Sequence, residues 1–420
     1  MPAPSSPLSA DPELEAAIQG ELSRQRDQIE LIASENIVSP AVLAAQGSVL
    51  TNKTVEGLPG ARYYGGAEFA DRIEQLAIDR ACRLFGCRFA NVQPHSGSNA
   101  NAAAYFALLK PGDTLLSMDT ASGGHISHGH PATLTGRIYS IVRYGVSRAD
   151  ERIDLGEVDA LAQRHRPKLI AVGGSAYPRA IDFSAFRRIA DAVGARLLVD
   201  MAHFAGLVAT GLHPHPFPAA DVVTTTTYKS LRGARGGMVL WSDPDLSKRL
   251  NAGVFPGVQG SVLLQGVAGK AACLGEALRT EFRDYNRRVL ENAQALAQTL
   301  AEGGLRLVSG GTDTGLMLVD LRPRRVNGEA ASKALEQAGI ACNKNLIPFD
   351  PEPAEIASGL RLSPNAGTAR GFGPEEFRRV GGWILEVLDG LTAQRNADVE
   401  GRVRSDVAEL CRRFPIYPGL

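Results

Sequence analysis

In the stretch TTTTYKSLRGARGG, residues 224–237, a single lysine, Lys229, sits beside an aromatic ring at the end of a run of small β-branched residues. A lysine at a strand end can be a solvated charge, a phosphate clamp or a nucleophile, and its company must decide. Asp200 closes a second apolar run, RLLVDMAHFAG, with His203 one short turn later. A carboxylate at that edge of a parallel sheet faces the place where ligands collect; it can cap the strand, hold a metal or pair with a protonated ring nitrogen. Ser96-Gly97-Ser98, in HSGSNANAAAY, falls between a strand and a small-residue helix. Free N–H groups, two hydroxyls and a glycine admitting close approach make an anion site there, though an ordinary serine-capped turn has the same residues. Taken together, these are three parts of a pyridoxal phosphate site. The helix N-terminus suits the phosphate, the carboxylate keeps the pyridine nitrogen protonated, and the lysine takes the aldehyde. The spacing from Asp200 to Lys229 allows one strand–helix–strand crossover.

SGGHISHGHP adds His125, His128 and His130. Its glycines imply a loop, and no HExxH or carboxylate ligand spacing accompanies it, so no metal site is expected. His125 is the ring expected to stack on a flat ligand; the other two read as satisfied loop histidines.

Elements to position these groups are legible in the pattern. FANVQP, TLLSM, IYSIV, KLIAVGG, RLLVDM, DVVTTTT and GMVLW read as strands. ELEAAIQGELSRQRDQIELI, RIEQLAIDRACRLFG, SNANAAAYFALL, DLGEVDALAQRH and FSAFRRIADAVG read as helices. Alternation of the two implies an α/β fold with a mostly parallel sheet covered on both faces. Beyond Trp241 a long, nearly unbroken helical region runs to residue 304, followed by an α+β pattern. The expected organisation is an N-terminal segment over 1–50 (a frayed tail, then a helix), a large cofactor-binding domain over 51–275 and a small domain over 276–420.

The chain has 420 residues, 44% hydrophobic and 21% charged, with 45 basic and 45 acidic side chains. The balance implies neither a polyanion nor a membrane surface as partner. No apolar run approaches the roughly 20 residues of a membrane span. Five cysteines at irregular spacing suit a reduced, cytoplasmic protein with unpaired thiols.

From Leu31 to Val387 the sequence resembles serine hydroxymethyltransferase, a pyridoxal-phosphate family of the aspartate-aminotransferase (type I) fold. The motifs LIASEN, GLPGARYYGG, NVQPHSGSNAN, VDMAHFAGLV, VVTTTTYKSLRGARGG, FPGVQGS and VNGEAASKAL carry the likeness. The resemblance implies that Lys229 binds the cofactor aldehyde, Asp200 pairs with the ring nitrogen and His125 stacks over the ring. It implies that Ser96, Gly97 and Ser98 hold the phosphate, helped by Gly260 of a neighbouring subunit, with Ser175 and His203 near the phenolic oxygen. Arg361 would grip the substrate carboxylate with its planar fork, and Ser34 would help hold the amino acid. Glu56 and Tyr64 would handle protons, with Thr54 and Tyr63 beside the substrate. Glu56, Thr120, Gly124, Ile126 and Asn345 would face tetrahydrofolate. A homodimer is the minimum assembly implied, a tetramer the next.

The departures are local. Tyr228 stands where the family has histidine, Thr54 where it has tyrosine, and Thr120 and Ser122 where it has leucine and histidine. LSPNA replaces VGTPA after Arg361, and the Lys-Ser-Pro-Phe beyond NKN is replaced near EPAEI. A threonine at 54 vacates space for an α-substituent such as a methyl group. The activity expected is transfer of a hydroxymethyl group between serine, or α-methylserine, and tetrahydrofolate. The alternatives are a folate-independent aldolase or transaldolase on β-hydroxy amino acids, and a non-catalytic relative.

Overall fold

The structure, a computed structural model, describes residues 7–393 and 396–419. Part of the expected tail, residues 1–6, lies outside the described residues. Helix α1 (Pro12–Asp27) is started by Asp11, whose carboxylate accepts from Leu14 N at 3.1 Å, a cap worth about 1 kcal/mol. The helical spacing expected on through Ile32 stops earlier. Ile29–Glu30 is extended and pairs in parallel with Ile340–Ala341, because Ile29 and Leu31 are needed in a core on the far side of the molecule.

Seven strands form the central sheet: β1 (Phe89–Asn91), β2 (Thr114–Met118), β3 (Ser140–Tyr144), β4 (Leu169–Val172), β5 (Arg196–Asp200), β6 (Val222–Thr226) and β7 (Gly237–Trp241). Their spatial order is β1-β7-β6-β5-β4-β2-β3. Strands β2 to β6 run parallel, and β7 is antiparallel to both of its neighbours. Strands β4 to β7 carry almost only buried residues, as a sheet covered on both faces requires. Helices Leu155–His165 and Phe183–Val193 supply crossovers on one face; α2 (Gly97–Leu108) packs the other against Leu115, Leu169, Leu198 and Trp241. Since β5 and β6 are parallel, both deliver their carboxyl ends to one edge. Asp200 ends β5, and Lys229 follows just beyond β6.

The helical region after Trp241 is broken rather than continuous. It comprises α3 (Leu264–Ala277) and α4 (Thr280–Glu302), parted at Leu278–Arg279. Helix α4 spans both cores: Phe282, Tyr285 and Val289 pack with the large sheet, while Ala293, Leu296 and Leu300 pack with the second. That second core covers an antiparallel sheet of β8 (Arg306–Leu307), β9 (Met317–Asp320), β10 (Asn343–Asn345) and β11 (Gly359–Leu362), in the order β8-β9-β11-β10. Glu151 receives Arg306 at 2.7 and 2.9 Å and Ser309 N at 2.8 Å, tying the two sheets together. Arg361 on β11 is thereby held against the large sheet.

Candidate active site

Ser96, Gly97, Ser98, His125, Ser175, Asp200, His203 and Lys229 line one cavity, together with Asn101, Gly174, Ala202, Thr226 and Tyr228. One wall is the start of α2. Ser96 caps it, its Oγ accepting from Asn99 N at 3.1 Å. A Cβ at Gly97 would lie 2.6 Å from Thr226 Cγ2, so only glycine lets the helix start close onto the end of β6. The remaining N–H groups of that turn open toward the cavity with their partial positive charge.

Asp200 stands on the second wall. Its Oδ2 accepts from Asn101 Nδ2 at 2.9 Å and faces His128 Nε2 at 3.3 Å; its Oδ1 accepts from Ala202 N at 3.0 Å. Burial opposes the charge, but the His128 and His125 rings and the Asn101 amide outweigh it. The carboxyl is held below its ordinary range. His128, expected to be merely a satisfied loop histidine, is thus Asp200's neighbour. The Tyr105 hydroxyl meets its Nδ1 from behind.

Lys229 is 6% exposed, and its Nζ is 2.9 Å from His203 Nε2. Burial, with help from Arg361 and Arg235 against the pull of Asp200, brings the ammonium pKa down to about 8. A usable fraction of neutral amine therefore exists near neutral pH. His203 is driven well below its usual range by burial and by Lys229, so it accepts from the ammonium as a neutral ring. Burial likewise pushes His125 to about 4, leaving a flat, uncharged imidazole whose Nδ1 accepts from Ser127 N at 3.2 Å. Tyr228, in place of the family's histidine, lies under Arg235, whose guanidinium carbon is 4.2 Å from the ring centroid.

Arg361 reaches the cavity's rim. Its Nη1 donates to Ser175 O at 2.7 Å and its Nε to Asn343 Oδ1 at 3.1 Å, and burial lowers its pKa to about 10. Ser34 sits in a turn between two anchors: Leu31 O accepts from Ser363 N at 2.9 Å, and Asn36 Nδ2 donates to Lys229 O at 2.9 Å.

The other expected residues lie elsewhere. Thr54, Glu56, Tyr63, Tyr64 and Gly260 do not line this cavity within the same chain. They cluster at a separate surface. Glu56 Oε1 accepts from Ser261 Oγ at 2.8 Å, Tyr63 is 73% exposed and Tyr64 49% exposed. Thr54 is exposed, its carbonyl accepting from Lys53 Nζ at 2.9 Å. Thr120, Gly124 and Ile126 share the loop after β2. A Cβ at Gly124 would meet Met118 O at 2.1 Å, and Ile126 is 54% exposed. Asn345 closes β10, its Nδ2 donating to Leu346 O at 2.7 Å. Among the described residues, no group of three or more His, Cys, Asp or Glu is placed to hold a metal.

A phosphate-bearing pyridine aldehyde fits what is present. Each end of such a molecule meets its chemical complement: donors at the helix start, a fixed negative charge, and an amine of lowered pKa. Few other ligands use all three. The class that this fold and cavity define is the type I, aspartate-aminotransferase-like pyridoxal-phosphate enzymes.

Comparison with known proteins narrows the class. Residues 8–384 match the family model described as serine hydroxymethyltransferase. The chain is 60% identical over 415 residues to a serine hydroxymethyltransferase of Paramagnetospirillum magneticum, covering 98% of this chain and 97% of that one. Against serine hydroxymethyltransferase 2 of Rhodospirillum rubrum it is 60% identical over 417 residues (99% and 97% covered), and against the Paracoccus denitrificans protein 57% over 415 (98% and 97%). The chain belongs to the serine hydroxymethyltransferase family, whose members use pyridoxal phosphate, with tetrahydrofolate as co-substrate. No described helix is long and apolar enough to cross a membrane.

Proposed function

We propose that this chain interconverts serine and glycine, exchanging the one-carbon unit with tetrahydrofolate, as a cytoplasmic homodimer or tetramer. The observation that carries the reading is Lys229 and Asp200 facing one cavity beside the serine-capped start of α2. Pyridoxal phosphate, when bound, supplies an electron sink for the charge left on the α-carbon as the side-chain carbon departs.

The chain's own residues do the rest. Lys229 offers an amine that is partly neutral at physiological pH, with His203 orienting its Nζ. Asp200 stays ionised and holds a proton on the ring nitrogen. The N–H groups of the turn at Ser96-Gly97-Ser98 would hold the phosphate, His125 would stack on the ring, and Ser175 and His203 would border the phenolic oxygen. Arg361, its fork fixed by Ser175 and Asn343, binds the α-carboxylate, with Ser34 alongside. Glu56 and Tyr64 move the proton at the hydroxymethyl oxygen. Glu56, Thr120, Gly124, Ile126 and Asn345 form the folate surface.

Because Glu56, Tyr63, Tyr64 and Gly260 are away from their own chain's cavity, a second copy would bring them to it. The division into an N-terminal segment (1–50), a large domain (51–275) and a small domain (276–420) belongs to the same proposal. The high identity to serine hydroxymethyltransferases favours folate-linked transfer over the folate-independent aldolase. A second reading, acceptance of α-methylserine, rests on Thr54 alone.

One assay tests all three. Purified enzyme is given serine, α-methylserine and allo-threonine with and without tetrahydrofolate. Serine turnover should require the folate; equal rates without it would return the protein to the aldolase alternative.

A further inference from the structure

Lys270 lies in the apolar run VAGKAACL on α3 and is 2% exposed. Its Nζ donates to Val92 O at 2.6 Å, to Pro94 O at 2.9 Å and to Gly237 O at 3.0 Å. An ammonium has three N–H donors, so each is matched to a carbonyl. Those carbonyls come from two segments. Residues 92–94 run directly into Ser96, the cap of α2, and Gly237 opens β7. Pro94 O also accepts from Gly237 N at 2.9 Å.

The two glycines closing GARGG make the arrangement possible. A Cβ at Gly236 would stand 2.2 Å from Lys270 Cε, and one at Gly237 would stand 2.3 Å from Ser96 O. The lysine passes through the space the first leaves, and the backbone before α2 presses into the space of the second. A buried ammonium without a carboxylate partner is unfavourable, and burial draws this one's pKa down to about 7. An apolar side chain of the same length would fill the volume without that penalty. What only the lysine provides is one group fixing three carbonyls.

We propose that Lys270 is a positioning residue for the cofactor phosphate, clamping Val92, Pro94 and Gly237 so that Ser96 and the first turn of α2 are already aimed when the phosphate arrives. Preorganised donors bind more tightly than donors that must be ordered on binding. The inference rests on reading Ser96-Gly97-Ser98 as the phosphate cradle.

The test compares pyridoxal phosphate with pyridoxal, which presents the same aldehyde to Lys229 but has no phosphate. Dissociation constants for both are measured on the apoprotein of wild type, Lys270→Met, Lys270→Gln and Gly236→Ala. The last pushes the lysine aside without removing it. Wild type should bind pyridoxal phosphate far more tightly than pyridoxal. The variants should lose roughly ten- to hundredfold for pyridoxal phosphate, the scale of lost hydrogen bonds from a charged donor. Pyridoxal binding should stay within about threefold of wild type, under 1 kcal/mol. Equal losses for both ligands, unchanged affinity for pyridoxal phosphate, or failure of all three variants to fold would overturn the proposal and make Lys270 a general core residue. A wild type that does not distinguish the two ligands would bring down the cradle reading itself, and the proposal with it.

Discussion

Replacing Asp200 by asparagine changes one atom and should fail for two separable reasons. The first is local. Ala202 N pins Oδ1 at 3.0 Å, so an asparagine keeps its oxygen there and must place its NH2 where Oδ2 was. That NH2 would face Asn101 Nδ2, which donates to Oδ2 at 2.9 Å in the native protein. Asn101 is not free to flip: its Oδ1 accepts from Thr224 Oγ1 at 2.6 Å, and its Nδ2 also donates to Ser127 Oγ at 2.9 Å. Two donors left face to face in an enclosed site cost about 1–3 kcal/mol. The apoprotein should lose stability of that order in denaturant melts. The second reason is electrostatic. A neutral amide cannot keep a proton on the pyridine nitrogen, and loss of a preorganised stabiliser is worth about 3–4 kcal/mol, or two to three decades in rate. The assay is serine cleavage with tetrahydrofolate at saturating pyridoxal phosphate, beside urea melts of apoprotein. Cofactor should still bind, more weakly, while kcat falls by roughly 10²–10³. Near-native turnover would mean that the ring's charged partner is elsewhere. Unchanged stability would mean that the Asn101–Thr224 bond does not fix the amide as drawn.

Lys229→Ala should abolish multiple turnover, and borohydride reduction of native holoprotein should attach the cofactor to the peptide containing Lys229; labelling at another lysine would remove the central assignment. Capture of pyridoxal phosphate by apoprotein should speed up as pH rises through about 8, where burial places the Lys229 pKa; a rise centred near the ordinary lysine value of about 10.4 would refute the shift. The same group sets a stability trend. The unfolded chain binds this proton up to the ordinary lysine pKa and the folded chain only to about 8, so the penalty of burying the ammonium is full below pH 8 and is relieved above it. Apoprotein stability should therefore gain a contribution between those two pH values that is absent from Lys229→Met. Thr54→Tyr should lower kcat/KM for α-methylserine much more than for serine, by the roughly 1–3 kcal/mol that one methyl commands in a pocket; equal losses, or no wild-type activity on α-methylserine, would end that reading.

Much of the fold was legible because parallel sheets write themselves as apolar runs separated by amphipathic helices. Asp200 and Lys229 each sit where such a run stops, so their meeting at one sheet edge follows from β5 and β6 being parallel neighbours. Long-range partnerships were less legible. His128 looked like any loop histidine, and only the folded loop brings its ring to Asp200. Asn101 had a faint signal: a polar side chain one helical turn after Gly97 on an otherwise alanine-rich helix. Lys270 had a clearer one, a lone charge in VAGKAACL, where a helix otherwise offers apolar surface. The break at Leu278–Arg279 had none, since neither residue stops a helix; it follows from where α3 and α4 must each pack. The early end of α1 is similar. Periodicity carries past Asp27, but tertiary demand for Ile29 and Leu31 in the second core outweighs local preference.

The separation of Glu56, Tyr63 and Tyr64 from Lys229 does not leave the two groups mechanically independent. Glu56 accepts from Ser261 Oγ at 2.8 Å, and Ser261 O lies 3.0 Å from His95 Nε2. Gln259 accepts from His95 N at 3.1 Å and donates to Gln93 O at 2.9 Å. Gln93 Nε2 in turn donates to Gly57 O at 2.9 Å and to Glu74 at 2.7 Å, and Glu74 also receives Arg62 at 2.6 Å. The hairpin that presents Tyr63 and Tyr64 is therefore bonded, through buried polar side chains, to the segment 92–95 that ends in Ser96. One short stretch of backbone thus links this chain's proposed anion cradle to the groups proposed to handle protons in a second chain's cavity. Lys270 donates to Val92 O and Pro94 O in that same stretch, so the contacts behind one cavity are continuous with those behind the groups that a second copy would receive.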